Sequence, residues 1–128
     1  MQYKYFYGAQ AEQFSFYRIP KALFTEPNFR ELSTDAKVLY GILLDRMSLS
    51  LKNQWLDAQN KVYIIFTVEE IMDALNCANQ KATLLMVELE KQAGLIERKR
   101  QGLGRPNLIY VKNFAATIND KSCEKGDS

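Results

Sequence analysis

Histidine is missing from this 128-residue chain altogether, and a large part of ordinary enzyme chemistry goes with it. No Ser-His-Asp or Cys-His unit can be assembled. The only phosphate-loop-like feature is GLGRP, and no GxxxxGK precedes a serine or threonine. Cysteine is nearly as scarce. Cys77 and Cys123 match no metal spacing, and both read as free thiols. No metal or small-molecule cofactor is expected. Asp45, Glu69, Glu70 and Asp73 could be imagined as a two-metal carboxylate cluster, but their spacing places them on solvated helix faces. Long apolar runs are also lacking. None approaches the ~18 residues of a membrane span, and the opening MQYKYFYGAQAEQ lacks the basic-then-apolar layout of a signal peptide. A cytoplasmic protein that is not an enzyme and does not engage a membrane is therefore expected.

The apolar content of 47% and charged content of 25% suit one globular domain with a tail. A net charge of +2 hides an uneven distribution. Residues 1–75 hold eight Lys/Arg and nine Asp/Glu, residues 76–112 hold seven and three, and residues 113–128 hold two and three. Positive charge is thus gathered in one stretch, which implies one directed binding face.

Seven of the fifteen aromatic residues lie within the first 17 positions: Tyr3, Tyr5, Phe6, Tyr7, Phe14, Phe16 and Tyr17. Phe14, Phe16 and Arg18 alternate with Ser15, Tyr17 and Ile19, which predicts a strand ending at Pro20. These rings either fill the core or form a self-association surface, and Tyr3, Tyr5, Phe6 and Tyr7 are the candidates for dimerisation.

Ser33 can cap a helix whose apolar stripe is Ala36, Leu39, Tyr40, Leu43, Leu44 and Met47, with Asp35 favoured in its first turn by the helix dipole. The pattern degrades past Leu49, and Val62 to Phe66 read as a brief strand against which Trp55 packs or pairs. Thr67 and Glu70 have the spacing of a capping box, and Phe66 with Ile71 match a hydrophobic staple. The helix they open, VEEIMDAL, ends near Leu75. After a turn at Asn76–Asn79 a further helix is expected over about 79–93, stopped by Gly94. Its apolar face is Ala82, Leu85, Met86 and Leu89, and the other face near its start carries Asn79, Gln80, Lys81, Thr83 and Leu84.

A short helix, a tight turn and a longer helix with a polar, non-acidic beginning form the helix-turn-helix layout. A helix entering a major groove about 12 Å wide needs outward residues that hydrogen-bond without repelling phosphates, and Asn79, Gln80, Lys81 and Thr83 meet that need. Glu88 and Glu90 lie farther along, where such a helix would leave the groove. Behind it GLIERKRQGLGRPNLIYVK reads as a β-hairpin wing over about 95–112. Arg98, Lys99, Arg100, Arg105 and Lys112 supply positive charge there, and no acidic residue occurs from Arg98 to Lys112. Arg98, Lys99 and Arg100 are expected on the DNA backbone. Arg105, in a Gly-Arg-Pro step, is expected in the minor groove.

The segments FYRIPKALF, LSTDAKVLYGILLDRMSLS, VYIIFTVEEIMDAL and GLIERKRQGLGRPNLIYVKNF resemble the N-terminal domain of the RepA_N plasmid replication initiators of Gram-positive bacteria, from about Phe14 to Phe114. The resemblance implies a winged-helix domain that binds repeated double-stranded sites in a plasmid origin and dimerises. It also implies a separate C-terminal domain, similar to the DnaD group, that engages host replication proteins. Because the chain ends in the polar, linker-like NDKSCEKGDS, contact with host replication proteins would belong to that absent C-terminal domain. A MarR-like winged-helix regulator, to which GLIERKR bears likeness, and a protein-interaction winged helix are the alternative readings. The expected class is α+β: a winged helix-turn-helix DNA-binding domain with an additional aromatic-rich N-terminal strand segment. Its expected divisions are 1–13, a possible dimerisation segment, 14–114, the winged helix, and 115–128, the tail.

Overall fold

In the computed structural model, residues 2–8 and 13–115 are described. A short helix α1 (Ala22–Thr25) and a 3-10 turn (Pro27–Phe29) lead into the longest element, α2 (Thr34–Lys52). Ser33 caps α2 by accepting from the Ala36 N–H, and Asp35 sits in its first turn. The helix continues three residues beyond Leu49. The sequence pattern fades there because the last turn is mostly solvated, although Ser50 is buried.

After α2 the chain folds back in a small hairpin. Leu56 bridges Val62, the Trp55 and Tyr63 rings stack with centroids 6.3 Å apart, and Asp57 accepts from the N–H groups of Gln59 and Lys61. The strand expected over 62–66 shrinks to two isolated bridges, at Val62 and at Ile64. Ile64 and Ile109 exchange two backbone hydrogen bonds of 2.9 Å. The next helix, α3 (Val68–Leu75), has the expected limits because its capping box is formed in both directions. Asn76 then takes a left-handed conformation, φ 51°, and turns the chain into α4 (Asn79–Val87). One π-helical turn, Glu88–Gln92, follows, and Gly94 at φ +67° ends the helical run. Strands β1 (Ile96–Lys99) and β2 (Leu108–Val111) pair antiparallel, with Ile96 opposite Val111 and Lys99 opposite Leu108.

The core forms where α2, α3, α4 and the base of the hairpin meet. Leu39, Leu43, Ile64, Ile71, Leu89 and Ile109 are fully or almost fully buried there. Burial of such side chains contributes roughly 1.5–3 kcal/mol each, so this junction holds the helix-turn-helix and the hairpin as one unit. Tyr40 ties α2 to the end of β2 by donating its hydroxyl to the Lys112 carbonyl at 3.0 Å. Lys37 is buried with its ammonium 4.5 Å from the centre of the Phe24 ring. At Gly41 the chain crosses closely. A β-carbon there would lie 2.9 Å from the Ile19 side chain and 3.0 Å from the Arg18 carbonyl oxygen.

The N-terminal strand is not formed. Residues 15–20 pair with no strand among the described residues, because alternation makes a segment fit for pairing but cannot supply an edge to pair with. Nor do the N-terminal rings fill the core. Tyr3, Tyr5, Phe6, Tyr7, Phe14, Phe16 and Tyr17 are all exposed, with Phe6 against Phe14 and Phe14 against Phe16 in edge-to-face contact.

Candidate nucleic-acid interface

The two faces of α4 separate cleanly. Ala82, Leu85 and Met86 are buried, while Asn79, Gln80, Lys81, Thr83 and Leu84 are exposed. Nothing in the local sequence caps α4: Ala78 precedes it and has no side-chain acceptor to offer the first N–H groups. The start of the helix therefore presents its backbone donors and its polar side chains on one surface.

Two acidic groups hold this helix against its neighbours. Glu88 accepts from the Ser33 hydroxyl at 2.9 Å and from the Ser33 backbone N–H, fixing the head of α2 to the end of α4. Glu90 accepts from Arg98 three times: from the backbone N–H at 3.2 Å, from Nε at 3.0 Å and from Nη2 at 2.8 Å. Burial alone would raise the Glu90 carboxyl, but the Arg98 hydrogen bonds and charge reverse that effect and hold it below its usual range. Both glutamates read in sequence as bystanders at the far end of the helix. They are in fact its fastenings, positioned by a π-helical turn that the sequence does not announce.

The wing is consequently less uniform than its composition. Arg98, expected to face phosphate, is turned onto Glu90 with its side chain only 26% exposed. Ile96 and Arg98 share the inner side of β1, whereas Lys99 points to the other side and is exposed. Arg100 lies beyond the strand in the loop 100–107, and it and Arg105 are exposed. That loop is shaped by Gly102 and Gly104, both at positive φ, and closed by an Arg105 N–H to Gly102 carbonyl bond of 3.3 Å. Leu103 at its tip is completely exposed, an apolar side chain that sequence periodicity gave no reason to single out.

A second unexpected arrangement lies at the start of α4. Lys81 Nζ is 2.5 Å from Asp35 Oδ2 in the first turn of α2. The Asp35 hydrogen bond, and then its charge, holds the Lys81 ammonium above the ordinary lysine range. Of the residues expected at the interface, the fold thus gathers Asn79, Gln80, Lys81, Thr83 and Leu84 on one helix face and sets Lys99, Arg100 and Arg105 on the wing. It withdraws Arg98. Cys77, a free and partly buried thiol, lies in the turn between α3 and α4, and Cys123 falls outside the described residues. Among the described residues no cluster of His, Cys, Asp or Glu could hold a metal ion, and no helix is long and apolar enough to cross a membrane.

This architecture of helix-turn-helix plus two-stranded wing can be set beside known proteins. Residues 15–125 match the family model described as the replication initiator protein A (RepA) N-terminus. The chain belongs to the RepA_N family. A "41 kDa protein" of Lactobacillus helveticus is 30% identical over 103 residues, which is 80% of this chain and 28% of that protein. The chain thus spans little more than a quarter of the length of that relative. Among solved structures, the "N-Terminal domain of DNA binding protein" is similar over 99% of this chain and 98% of its own, with 36% identity and a TM-score of 0.71. A "Structure of Rep-DNA complex" is similar over 86% of this chain and 84% of its own, with 39% identity and a TM-score of 0.71. A "Structure of MDR initiator" is 40% identical, with 86% of each chain covered and a TM-score of 0.68. The RepA_N resemblance read from the sequence is therefore borne out, as is the winged helix-turn-helix class.

Proposed function

We propose that this chain is the DNA-binding N-terminal domain of a plasmid replication initiator, in which α4 enters the major groove and the wing follows the backbone and the minor groove. The observation that carries the reading is the 39% identity, over 86% of the chain, to a protein solved as a Rep–DNA complex. The chemistry of the exposed surface agrees with it. Asn79, Gln80, Lys81 and Thr83 can donate and accept at base edges, and the uncapped first turn of α4 can receive a phosphate. Lys99, Arg100 and Arg105 supply the phosphate and minor-groove contacts, and Arg98 positions the wing rather than touching DNA. The bound DNA is double-stranded and repeated within the plasmid origin, and binding needs no cofactor.

Two copies associate through the aromatic N-terminal segment, including Tyr3, Tyr5, Phe6 and Tyr7. Seven exposed rings on so small a domain support this reading, because such a surface is costly to leave in water. Host replication proteins are met by a further domain of the longer initiator and not by the residues described above.

DNase I footprinting of the chain on its parental plasmid tests the reading. Protection of two or more similar sites within the origin is the expected result. Protection nowhere, at concentrations where the protein is folded and soluble, would overturn it.

A further inference from the structure

We propose that Asp35 and Lys81 act together as a unit that reads one G·C base pair, with Lys81 on the guanine edge and Asp35 on the cytosine amino group. The inference rests on the placement of α4 in the major groove proposed above. Lys81 is the third residue of α4, on its exposed face, and its ammonium lies 2.5 Å from the Asp35 carboxylate. Both side chains are about half exposed, 55% for Lys81 and 51% for Asp35, so the pair stands on the surface rather than under it. Asp35 is also held in place. Ser33, two residues before it, is bound through both its hydroxyl and its backbone N–H to Glu88 on the π-helical turn that continues α4, so the first turn of α2, which carries Asp35, is held against that helix.

The valences of the pair match one base pair. A lysine ammonium has three donors and no acceptor, and a carboxylate has only acceptors. Asp35 engages one Lys81 donor and so directs the others, which suit the O6 and N7 acceptors of guanine. The remaining Asp35 lone pairs suit the N4 donor of the paired cytosine, which lies next to guanine O6 on the groove floor. An A·T pair offers a donor where guanine has O6 and an acceptor where cytosine has N4, so both members of the unit would face the wrong group.

The same arrangement discriminates against random DNA. On a non-cognate duplex the best partner for Lys81 is a phosphate. Taking it strips Asp35 of its counter-charge beside a polyanion, so an unpaired carboxylate opposes the complex.

The test uses the full 128-residue chain, a short duplex recovered by it from a randomised pool, single G·C to A·T changes in that duplex, and a scrambled duplex. One G·C position is expected to lose roughly fivefold to a hundredfold in affinity when changed, and both Asp35→Asn and Lys81→Gln are expected to abolish most of that loss. Asp35→Asn should also bind the scrambled duplex more tightly, on the order of threefold, with a log K against log salt slope steeper by about 1 as the freed ammonium neutralises a phosphate. Lys81→Gln should gain neither. A G·C penalty unchanged in both variants, with no gain on the scrambled duplex, overturns the proposal while leaving DNA binding intact. If wild-type protein recovers no sequence from the pool, the reading of α4 as a major-groove helix falls too. Should Asp35→Asn fail to fold, Asp35→Ser takes its place, because Asp35 is exposed and lies outside the core, and a G·C penalty that survives in it overturns the proposal.

Discussion

Replacing Glu90 by Gln should loosen the wing without touching any residue proposed to meet DNA. Glu90 accepts from the Arg98 backbone N–H and from two guanidinium nitrogens, at 2.8–3.2 Å, and the two side chains are only 17% and 26% exposed. Hydrogen bonds to a charged group contribute roughly 1.5–3 kcal/mol each, and removing one partner of a fully buried ion pair costs about 3–5 kcal/mol. Here glutamine keeps one acceptor oxygen and the guanidinium can reach water at its exposed edge. The expected loss is therefore about 2 kcal/mol, which for a domain of this size lowers Tm by roughly 8 °C. The effect has a pH signature of known sign. Because the Glu90 carboxyl is held below its unfolded value near 4.5, its contribution is present above that value and is lost as pH falls through the lower folded one. Wild type and Glu90→Gln should thus differ at neutral pH and converge in acid. The paired assay is salt-dependent DNA binding: Arg98→Ala should leave the log K against log salt slope nearly unchanged, whereas Arg100→Ala should reduce its magnitude by about 0.9. An unchanged Tm in Glu90→Gln, or a slope lost with Arg98, would refute the reasoning.

Arg105→Ala should weaken binding more on sites flanked by A·T than on sites flanked by G·C, since a narrow A·T minor groove attracts an inserted arginine; equal losses in a gel-shift titration would place Arg105 on phosphate. Deleting residues 1–13 should give a folded monomer with poorer affinity for repeated sites, and sedimentation showing an unchanged oligomer would put the interface elsewhere. The Tyr40 hydroxyl is pushed up to about 12 by burial, so its stabilising contribution is complete below pH 10 and lost as pH rises toward 12. Alkaline unfolding of Tyr40→Phe followed by circular dichroism should show a weaker fall across that window, and an identical fall would exclude Tyr40 as its source.

Local signals were the legible ones. The limits of α3 could be read because both halves of its capping box lie within four residues, Thr67 to Glu70. The buried face of α4 could be read because its period is helical and its polar face is continuous. The hairpin followed from strand-like residues around a Gly-Arg-Pro loop. The signals that failed needed a partner distant in sequence. Phe14, Phe16 and Arg18 alternate like a strand, but alternation does not say whether an edge lies alongside. Glu88 and Glu90 look like solvated helix residues until Ser33 and Arg98 arrive beside them. The π-helical turn, too, has ordinary helical residues. Its wider hydrogen bonding, Ala93 N–H to the Glu88 carbonyl, answers to where Leu89 and Leu95 must both be buried, a demand of the assembled core.

The fastening of α4 has an evolutionary consequence. The groups that secure this helix, Ala82, Leu85, Met86, Leu89, Glu88 and Glu90, share no member with the outward set Asn79, Gln80, Thr83 and Leu84. Changes at those four exposed positions leave the anchoring contacts intact, so, under the proposed reading of α4 as the major-groove helix, a descendant protein would acquire a different target sequence without first passing through a poorly folded ancestor. Lys81 is the one outward residue bonded to the frame, through Asp35, and retargeting at that position would require two substitutions in step. Under that same reading, target preference would change quickly through four residues of the protein and slowly through the fifth.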